Sequence, residues 1–192
     1  VSQDPYLLNL LIMTGIWTTS VWGVRLIMST GQLTLGHAAY MAVGAYASTL
    51  LVMKAGLSFW LAFPLSGLIS AFVALLIGYP TLRIKGVYFS IITFAFAEII
   101  RLIIVNWPSL LGGYGGISSI PAPQPLFSIR FTSRIPFYYL ILAVSFITYL
   151  VMVRMEKSRI GKIFSSIHES DTLAESVGIN IMKYKVIAFC IG

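Results

Sequence analysis

The ionisable side chains inside apolar segments are the residues of this sequence most able to do chemistry. Glu98 and Arg101 lie three residues apart, so they share one face of a helix. Glu98 is roughly 18 Å along that helix from Gly86, past the middle of a bilayer, whereas Arg101 can extend toward the outer surface. An ionisable group at that depth needs a partner and is a functional hypothesis by default. Two interpretations stay open for the pair: a coupling group for ion-driven transport, or a structural ion pair that fixes helix packing.

Two further side chains could take part in chemistry. His37 opens another apolar segment, and Cys190 lies inside one. His37 can relay a proton or bind a ligand, and it can equally serve as a hydrogen-bond donor at a helix end. One cysteine supports neither a disulfide nor a metal site, so Cys190 is interpreted as a small buried hydrophobe. The sequence has no HExxH, GxSxG, paired-cysteine or P-loop pattern. It therefore predicts no enzyme, no bound cofactor or metal, and ATP binding only by another chain.

The composition is that of an integral membrane protein made of helices. Mean hydropathy is +0.90 and 10% of residues are charged, whereas a soluble domain carries about 25% charged residues. The apolar runs are continuous for about 20 residues and do not alternate as barrel strands do. The net charge of +7 comes from basic residues spread among the loops between spans. Membrane topology explains that spread, so we predict contact with lipid and no nucleic-acid partner.

Five apolar stretches approach the ~20 residues that cross a ~30 Å hydrocarbon core, and a sixth begins at about Val186. The five stretches are Tyr6–Met28, His37–Met53, Ser58–Tyr79, Val87–Asn106 and Ile135–Met155. The predicted fold is all-α: a polytopic transmembrane helix bundle, with about five complete spans plus a truncated sixth, in a single domain over residues 1–192. The opening residues VSQDP carry no basic flank and the last span is incomplete. We therefore expect a fragment that is truncated at both ends.

The distribution of lysine and arginine orients the spans. If the polar interval 156–185 faces the cytoplasm, alternation of the spans places nine basic residues inside and four outside. Those inside are Arg25, Arg83, Lys85, Arg154, Lys157, Arg159, Lys162, Lys183 and Lys185. Those outside are Lys54, Arg101, Arg130 and Arg134. This bias follows the positive-inside rule, and it predicts that the Gly- and Pro-rich loop 107–134 lies outside the cell.

A short uncharged break, residues 29–36, separates the first two predicted spans. Its glycine and polar residues are Thr30, Gly31, Gln32, Thr34 and Gly36. Backbone groups freed in lipid must be satisfied by protein or cavity water, so the break is either buried beside a pathway or a tight turn at the membrane surface. In the next span, Gly44 lies beside alanines at the spacing that allows close helix packing in lipid. Our candidates for a pathway or for packing are Gly31, Gln32, Gly36, His37, Gly44, Glu98 and Arg101.

The polar interval 156–185 contains the pattern of a short helix. Ser170 can cap its start, Leu173 and Val177 share one face, and Gly178 can end it in a left-handed conformation. A helix of two turns is marginal alone in water, so something must hold it. We predict a cytoplasmic coupling helix, through which a soluble motor moves the membrane helices.

Four blocks, in order, carry a family likeness across nearly the whole chain. They are GQLTLGHAAYMAVGAYAS at 31–48, GYPTLRIKGVYFSIITFAFAEIIRLIIVNW at 78–107, LGGYGGISSIP at 111–121 and SRIGKIFSSIHESDTLAESVGINIMKYKVIAF at 158–189. The chain resembles the LivM-type permease subunit of branched-chain amino acid ABC transporters, a family that also includes urea-type and amide-type permeases.

The resemblance implies a heteromeric importer in a bacterial or archaeal cytoplasmic membrane. Its partners would be a second permease subunit of the LivH type, two ABC ATPase subunits and an extracytoplasmic substrate-binding protein. The residues that match the family's ATPase-contacting loop are Glu169, Asp171, Ala174, Glu175, Gly178, Ile179 and Asn180. Leu173 stands where the family usually has alanine, and Ser176 where it often has alanine.

The predicted cargo is a branched-chain or related amino acid. The alternatives are a urea or short-amide permease of the same family and an ion-coupled carrier or channel that uses Glu98.

Overall fold

The chain is a bundle of α-helices, as the sequence predicts. The computed structural model describes residues 5–84, 86–125 and 133–192. Within these ranges there is no strand, and nine α-helices and one 3-10 turn follow one another. The helices are α1 (Pro5–Met28), α2 (His37–Met53), α3 (Phe59–Thr81), α4 (Val87–Asn106), α5 (Pro108–Leu111), α6 (Arg134–Lys157), α7 (Arg159–Glu169), α8 (Asp171–Ser176) and α9 (Ile181–Ile191). The predictions for residues 1–4, Lys85, Arg130 and the rest of 126–132 lie outside the described residues.

The predicted spans correspond closely to observed helices, and their boundaries agree within two residues. α1, α3, α4 and α6 are each long and apolar enough to cross a membrane. α2 has 17 residues and is a shorter apolar helix, about 26 Å long at 1.5 Å per residue. The chain is therefore a multi-pass membrane protein, with four helices of spanning length and a fifth slightly short of a ~30 Å core.

The polar interval 156–185 is more helical than predicted. One coupling helix was expected there, but α7 precedes α8, and α6 continues to Lys157. The signal for α7 is present in the sequence, because Phe164 and Ile167 recur at helical spacing and are both buried. The sixth apolar segment begins at Ile181 and not at about Val186, because the Asn180 side chain accepts a hydrogen bond of 3.1 Å from the backbone N–H of Lys183 and starts α9 there.

Two apolar clusters hold the helices together. In the first, the Tyr40 ring of α2 lies 5.2 Å from the Phe96 ring of α4 and 5.4 Å from the Phe189 ring of α9. Gly78 allows α3 to approach α9 at this point, because a Cβ there would lie 2.6 Å from the Phe189 ring. The second cluster joins α1, α6, α7 and α9 through Leu26, Met152, Phe164 and Ala188. α9 contributes to both clusters and contacts both α1 and α3.

The helix ends are gathered at the two opposite ends of the bundle, in the grouping that alternating spans predict. At one end, the Arg25 guanidinium of α1 lies 2.9 Å from the Glu156 carboxylate of α6. At the other end, the Arg134 guanidinium donates to the Pro5 carbonyl at 3.0 Å, and the Trp60 indole donates to the Gln124 carbonyl at 3.1 Å. The break 29–36 and the polar interval thus share one end of the bundle, and the loop beyond α4 occupies the other.

Candidate functional site

α8 is a short helix whose two ends are capped by its own sequence. The Ser170 hydroxyl accepts a hydrogen bond of 3.4 Å from the Leu173 N–H at the start. At the end, the Gly178 N–H donates to the Glu175 carbonyl at 2.9 Å and the Ile179 N–H donates to the Ala174 carbonyl at 3.1 Å. Gly178 has a φ of +83°. This is a Schellman termination with glycine in the left-handed position, so the predicted start and stop signals are both confirmed.

The two sides of α8 face different surroundings. Ala174 is 3% exposed and packs inward, whereas Leu173 is 70% exposed and Val177 is 75% exposed. The flanking Glu169 and Glu175 are also exposed, as is Asn180, while Ile179 is half-buried. An apolar edge with acidic neighbours therefore stands free at the end of the bundle where the polar interval lies.

An ion pair fixes α8 against α9. The Lys185 ammonium lies 2.9 Å from one Asp171 carboxylate oxygen and donates to the other at 3.0 Å. The two side chains are 5% and 15% exposed. Sequence reasoning assigned Asp171 to the coupling helix but used Lys185 only to set topology. The available signal was a lysine inside the apolar run that opens the last helix, since a charge in such a run needs a partner.

The polar side chains of the break 29–36 are buried in protein, whereas Leu33 and Leu35 of the same break are 50% and 55% exposed. Thr30, Gln32 and Thr34 are 1%, 2% and 5% exposed. Side chains of α4 satisfy the freed backbone: the Thr93 hydroxyl accepts from the Leu35 N–H at 3.1 Å, and the Ser90 hydroxyl donates to the Leu33 carbonyl at 2.6 Å. Protein groups therefore replace water for this irregular backbone.

Two glycines allow this close fit of the break. A Cβ on Gly36 would lie 2.6 Å from the Thr93 carbonyl oxygen. Gly31 has a φ of +76°, and a Cβ there would lie 3.6 Å from the Cα of His168 at the end of α7. The break therefore contacts α4 on one side and the polar interval on the other.

A small polar cavity of about 330 Å³ lies where the break meets α7 and α8. Its lining includes Thr30, Gln32, His168, Ser170, Asp171 and Lys185. The Gln32 side-chain oxygen faces no hydrogen-bond partner anywhere in the described ranges. The structure thus places Gly31 and Gln32, predicted as pathway or packing residues, beside the predicted coupling residues.

A larger and mostly apolar cavity of about 580 Å³ lies among α1, α2, α3, α6 and α9. His37 and Gly44 line it, together with Tyr40 and Ser70. The His37 Nδ1 and the Tyr40 hydroxyl are buried, and neither has a hydrogen-bond partner among the residues that the structure describes. The structure therefore places His37 and Gly44 at a different cavity from Gly31 and Gln32.

Glu98 and Arg101 lie apart from both cavities. The Arg101 guanidinium donates to the Glu98 carboxylate at 2.8 Å, within α4. The two side chains are 46% and 55% exposed. The pair fixes no packing between described helices, because both partners belong to the same helix and face outward. The structural interpretation of this pair and a role in a pathway therefore both stay predictions.

Nearly the whole chain matches one protein family. A family model described as "Branched-chain amino acid transport system / permease component" matches residues 6–192. The chain belongs to this permease family. The permease thus has the all-α, multi-pass fold, and its likeness to the LivM type is confirmed.

The relatives of this permease carry the same description. The high-affinity branched-chain amino acid transport system permease protein LivM of Salmonella typhimurium is 32% identical, over 93% of this chain and 48% of its own length. The protein of that name from Escherichia coli is 31% identical, over 84% and 43%. A probable LivM of Methanocaldococcus jannaschii is 26% identical, over 69% and 38%. The chain spans about half the length of these curated relatives. No solved structure gives a significant match.

Proposed function

We propose that this permease is part of an ATP-driven importer of branched-chain or related amino acids, moved by separate ATPase subunits through α8. In this proposal a second permease subunit completes the pathway and an extracytoplasmic binding protein delivers the cargo. The assembly lies in the cytoplasmic membrane of a bacterium or archaeon. The chain itself binds no cofactor and hydrolyses no ATP. The names of the Salmonella typhimurium and Escherichia coli relatives support the cargo class.

The exposed apolar edge of α8 is the observation that carries the coupling role. A helix of six residues has little stability of its own. Here both of its ends are capped, Ala174 is buried, and Asp171 is paired with Lys185. Leu173 and Val177 therefore stand on a rigid support. An apolar helix edge presented in this way suits a groove on a soluble partner.

The neighbouring predicted residues fit the same surface. Glu169 and Glu175 provide an acidic rim, which favours a partner groove with basic residues at its margin. Gly178, Ile179 and Asn180 end α8 and start α9, so they set the direction from which the helix approaches the partner.

The proposed mechanism is alternating access driven from the cytoplasmic side. ATP brings the two ATPase subunits together, α8 moves with the subunit that holds it, and the membrane helices tilt. Such a change requires that the ATP-bound partner binds one access state more tightly than the other. A firm contact at α8 supplies that difference.

Replacing Leu173 by glutamate tests this proposal. The charge would be desolvated in the partner groove, so we expect at least about tenfold less ATPase to co-purify, as for central residues of an interface. Uptake should fall in parallel. Ser166→Glu is the matched control, because it adds the same charge at an exposed position of α7. Normal ATPase recovery and uptake with Leu173→Glu would contradict the coupling role of α8.

The two alternatives remain predictions with less support. The urea or short-amide cargo finds no counterpart in the names of the three relatives. The ion-coupled carrier needs Glu98 to exchange protons or ions along a path, but its carboxylate is bonded to Arg101 on the outward face of α4. Uptake by the purified permease without any ATPase would favour the carrier.

A further inference from the structure

α8 and α9 follow one another in the chain and contact each other at one end of the bundle. Ser170 alone separates α7 from α8, and residues 177–180 connect α8 to α9. The connection is exposed through most of its length. Its hydrogen bonds close the end of α8 and the start of α9, but they do not join the two helices to each other. Side-chain contacts between α8 and α9 therefore decide how closely α9 follows α8.

Asp171 and Lys185 provide such a contact. Asp171 is the first residue of α8 and Lys185 lies within α9, so the pair joins two separate elements. The ammonium contacts both carboxylate oxygens, at 2.9 and 3.0 Å. Both groups are shielded from water, which strengthens their attraction and makes separation of the charges unfavourable.

α9 can pass a displacement on, because it is packed into the bundle on both sides. Ala188 lies one turn beyond Lys185 in the cluster with Leu26, Met152 and Phe164. Phe189 lies in the other cluster, against Tyr40 and Phe89. Close-packed interiors transmit displacement and do not absorb it. A shift of α9 therefore acts on α1 and α2 together.

We propose that the Asp171–Lys185 ion pair is the joint that transmits the movement of α8 to α9 and so couples ATP hydrolysis to transport. The inference rests on the proposed function, and it adds to it two positioning residues that contact neither cargo nor nucleotide. Docking and transmission are then separate properties: the exposed edge of α8 holds the partner, and the ion pair delivers its movement.

The test uses the complete transporter in proteoliposomes, with its ATPase, second permease and binding protein. Three quantities are measured for each variant: the ATPase that co-purifies, the rate of ATP hydrolysis, and the leucine taken up per ATP hydrolysed. The central variant is the neutral pair Asp171→Asn with Lys185→Met. It removes the bond without leaving an unpaired buried charge, so the chain keeps its fold. We expect normal co-purification and a fall of about tenfold in leucine per ATP, within the usual range for coupling between two sites.

The exchanged pair, Asp171→Lys with Lys185→Asp, is the rescue variant. It restores an ion pair across the same contact, so leucine uptake per ATP should recover to within about threefold of the original. A purely structural role predicts something else: the neutral pair would lower the yield of folded transporter while uptake per ATP stayed normal. That result overturns the inference, and so does an exchanged pair that transports no better than the neutral pair.

Failure of this inference is distinguishable from failure of the proposed function. If no ATPase co-purifies with the original chain, or if uptake needs no ATP, the proposed function is wrong. If the ATPase binds and uptake needs ATP, yet the neutral pair transports normally, only the joint is wrong. Ile167→Val in α7 is a matched control for stability, because Ile167 is 2% exposed and lies outside both clusters that pack α9. It loosens the same end of the bundle through packing and should leave uptake per ATP unchanged.

Discussion

Two ion pairs of this permease, Asp171–Lys185 and Glu98–Arg101, differ in burial and in what they join. At the end that carries α8, Asp171 and Lys185 belong to different helices, and their side chains are 15% and 5% exposed. Toward the other end, Glu98 and Arg101 belong to one helix and are 46% and 55% exposed. The first pair determines where α8 lies against α9. The second pair constrains only the rotamers of two side chains on α4. Its charged groups remain about half exposed on the surface of that helix.

The comparison shows that sequence spacing and structural importance are separate matters. Residues three apart on a helix always meet, so their contact carries little information about tertiary structure. Residues 14 apart in sequence meet only if the chain folds them together. Since a buried pair is intolerant of losing one partner, the Asp171–Lys185 pair should respond strongly to single charge changes, and the α4 pair weakly.

Lys185→Met should give the largest effect. It removes the ammonium that lies 2.9 Å from the Asp171 carboxylate, while that carboxylate stays 15% exposed. The free energy of unfolding should therefore fall by about 3 kcal/mol. Denaturant unfolding of the purified permease in detergent measures it. The neutral double variant with Asp171→Asn should regain most of the loss. The comparison breaks down if the double variant is as unstable as the single one.

Gly36→Ala tests whether the break at the α8 end is as tightly packed as its burial indicates. The new Cβ would lie 2.6 Å from the Thr93 carbonyl oxygen, and such overpacking costs about 1–3 kcal/mol. Gly115→Ala is the control in the outer loop, where a Cβ meets nothing within 4 Å. It should change stability by no more than about 0.5 kcal/mol. Equal melting temperatures for the two variants would show that the break has room to adjust.

Glu156→Gln sharpens the comparison, because Arg25 and Glu156 join two helices but remain exposed. The pair is bonded at 2.9 Å, with side chains 59% and 34% exposed. Water screens these charges, so the loss of stability should be about 0.2–1 kcal/mol. Arg25 also keeps its position over the Trp22 ring, 5.0 Å from the centroid. A loss as large as that of Lys185→Met would mean that joining two helices matters more than burial.

Glu98→Gln should have the smallest effect. The pair it breaks lies within α4 and faces outward, so both the melting temperature and the ATP dependence of uptake should stay unchanged. Thermal melting and proteoliposome uptake with and without ATP measure the two. An ion-coupled carrier predicts the opposite result, namely uptake that loses its dependence on a proton or sodium gradient.

Local signals in the sequence predicted the elements of the fold well. Ser170 and Gly178 marked the ends of α8, and the apolar runs marked the spans within two residues. α7 was not predicted, because the interval is mostly polar and only Phe164 and Ile167 carry the helical spacing. The start of α9 was placed too late because the prediction did not include the cap that Asn180 provides.

The sequence by itself determined that this chain is a multi-pass helix bundle with a short capped helix at one end, and family likeness added the permease class. Hydrophobic runs, caps and left-handed glycines are signals that extend over neighbouring residues, so the sequence alone is enough to find them. Only the tertiary structure decided that Lys185 is the partner of Asp171, that the break 29–36 packs against α4, and that Glu98 faces outward. These depend on which helices become neighbours, and that is fixed by packing among residues far apart in the chain.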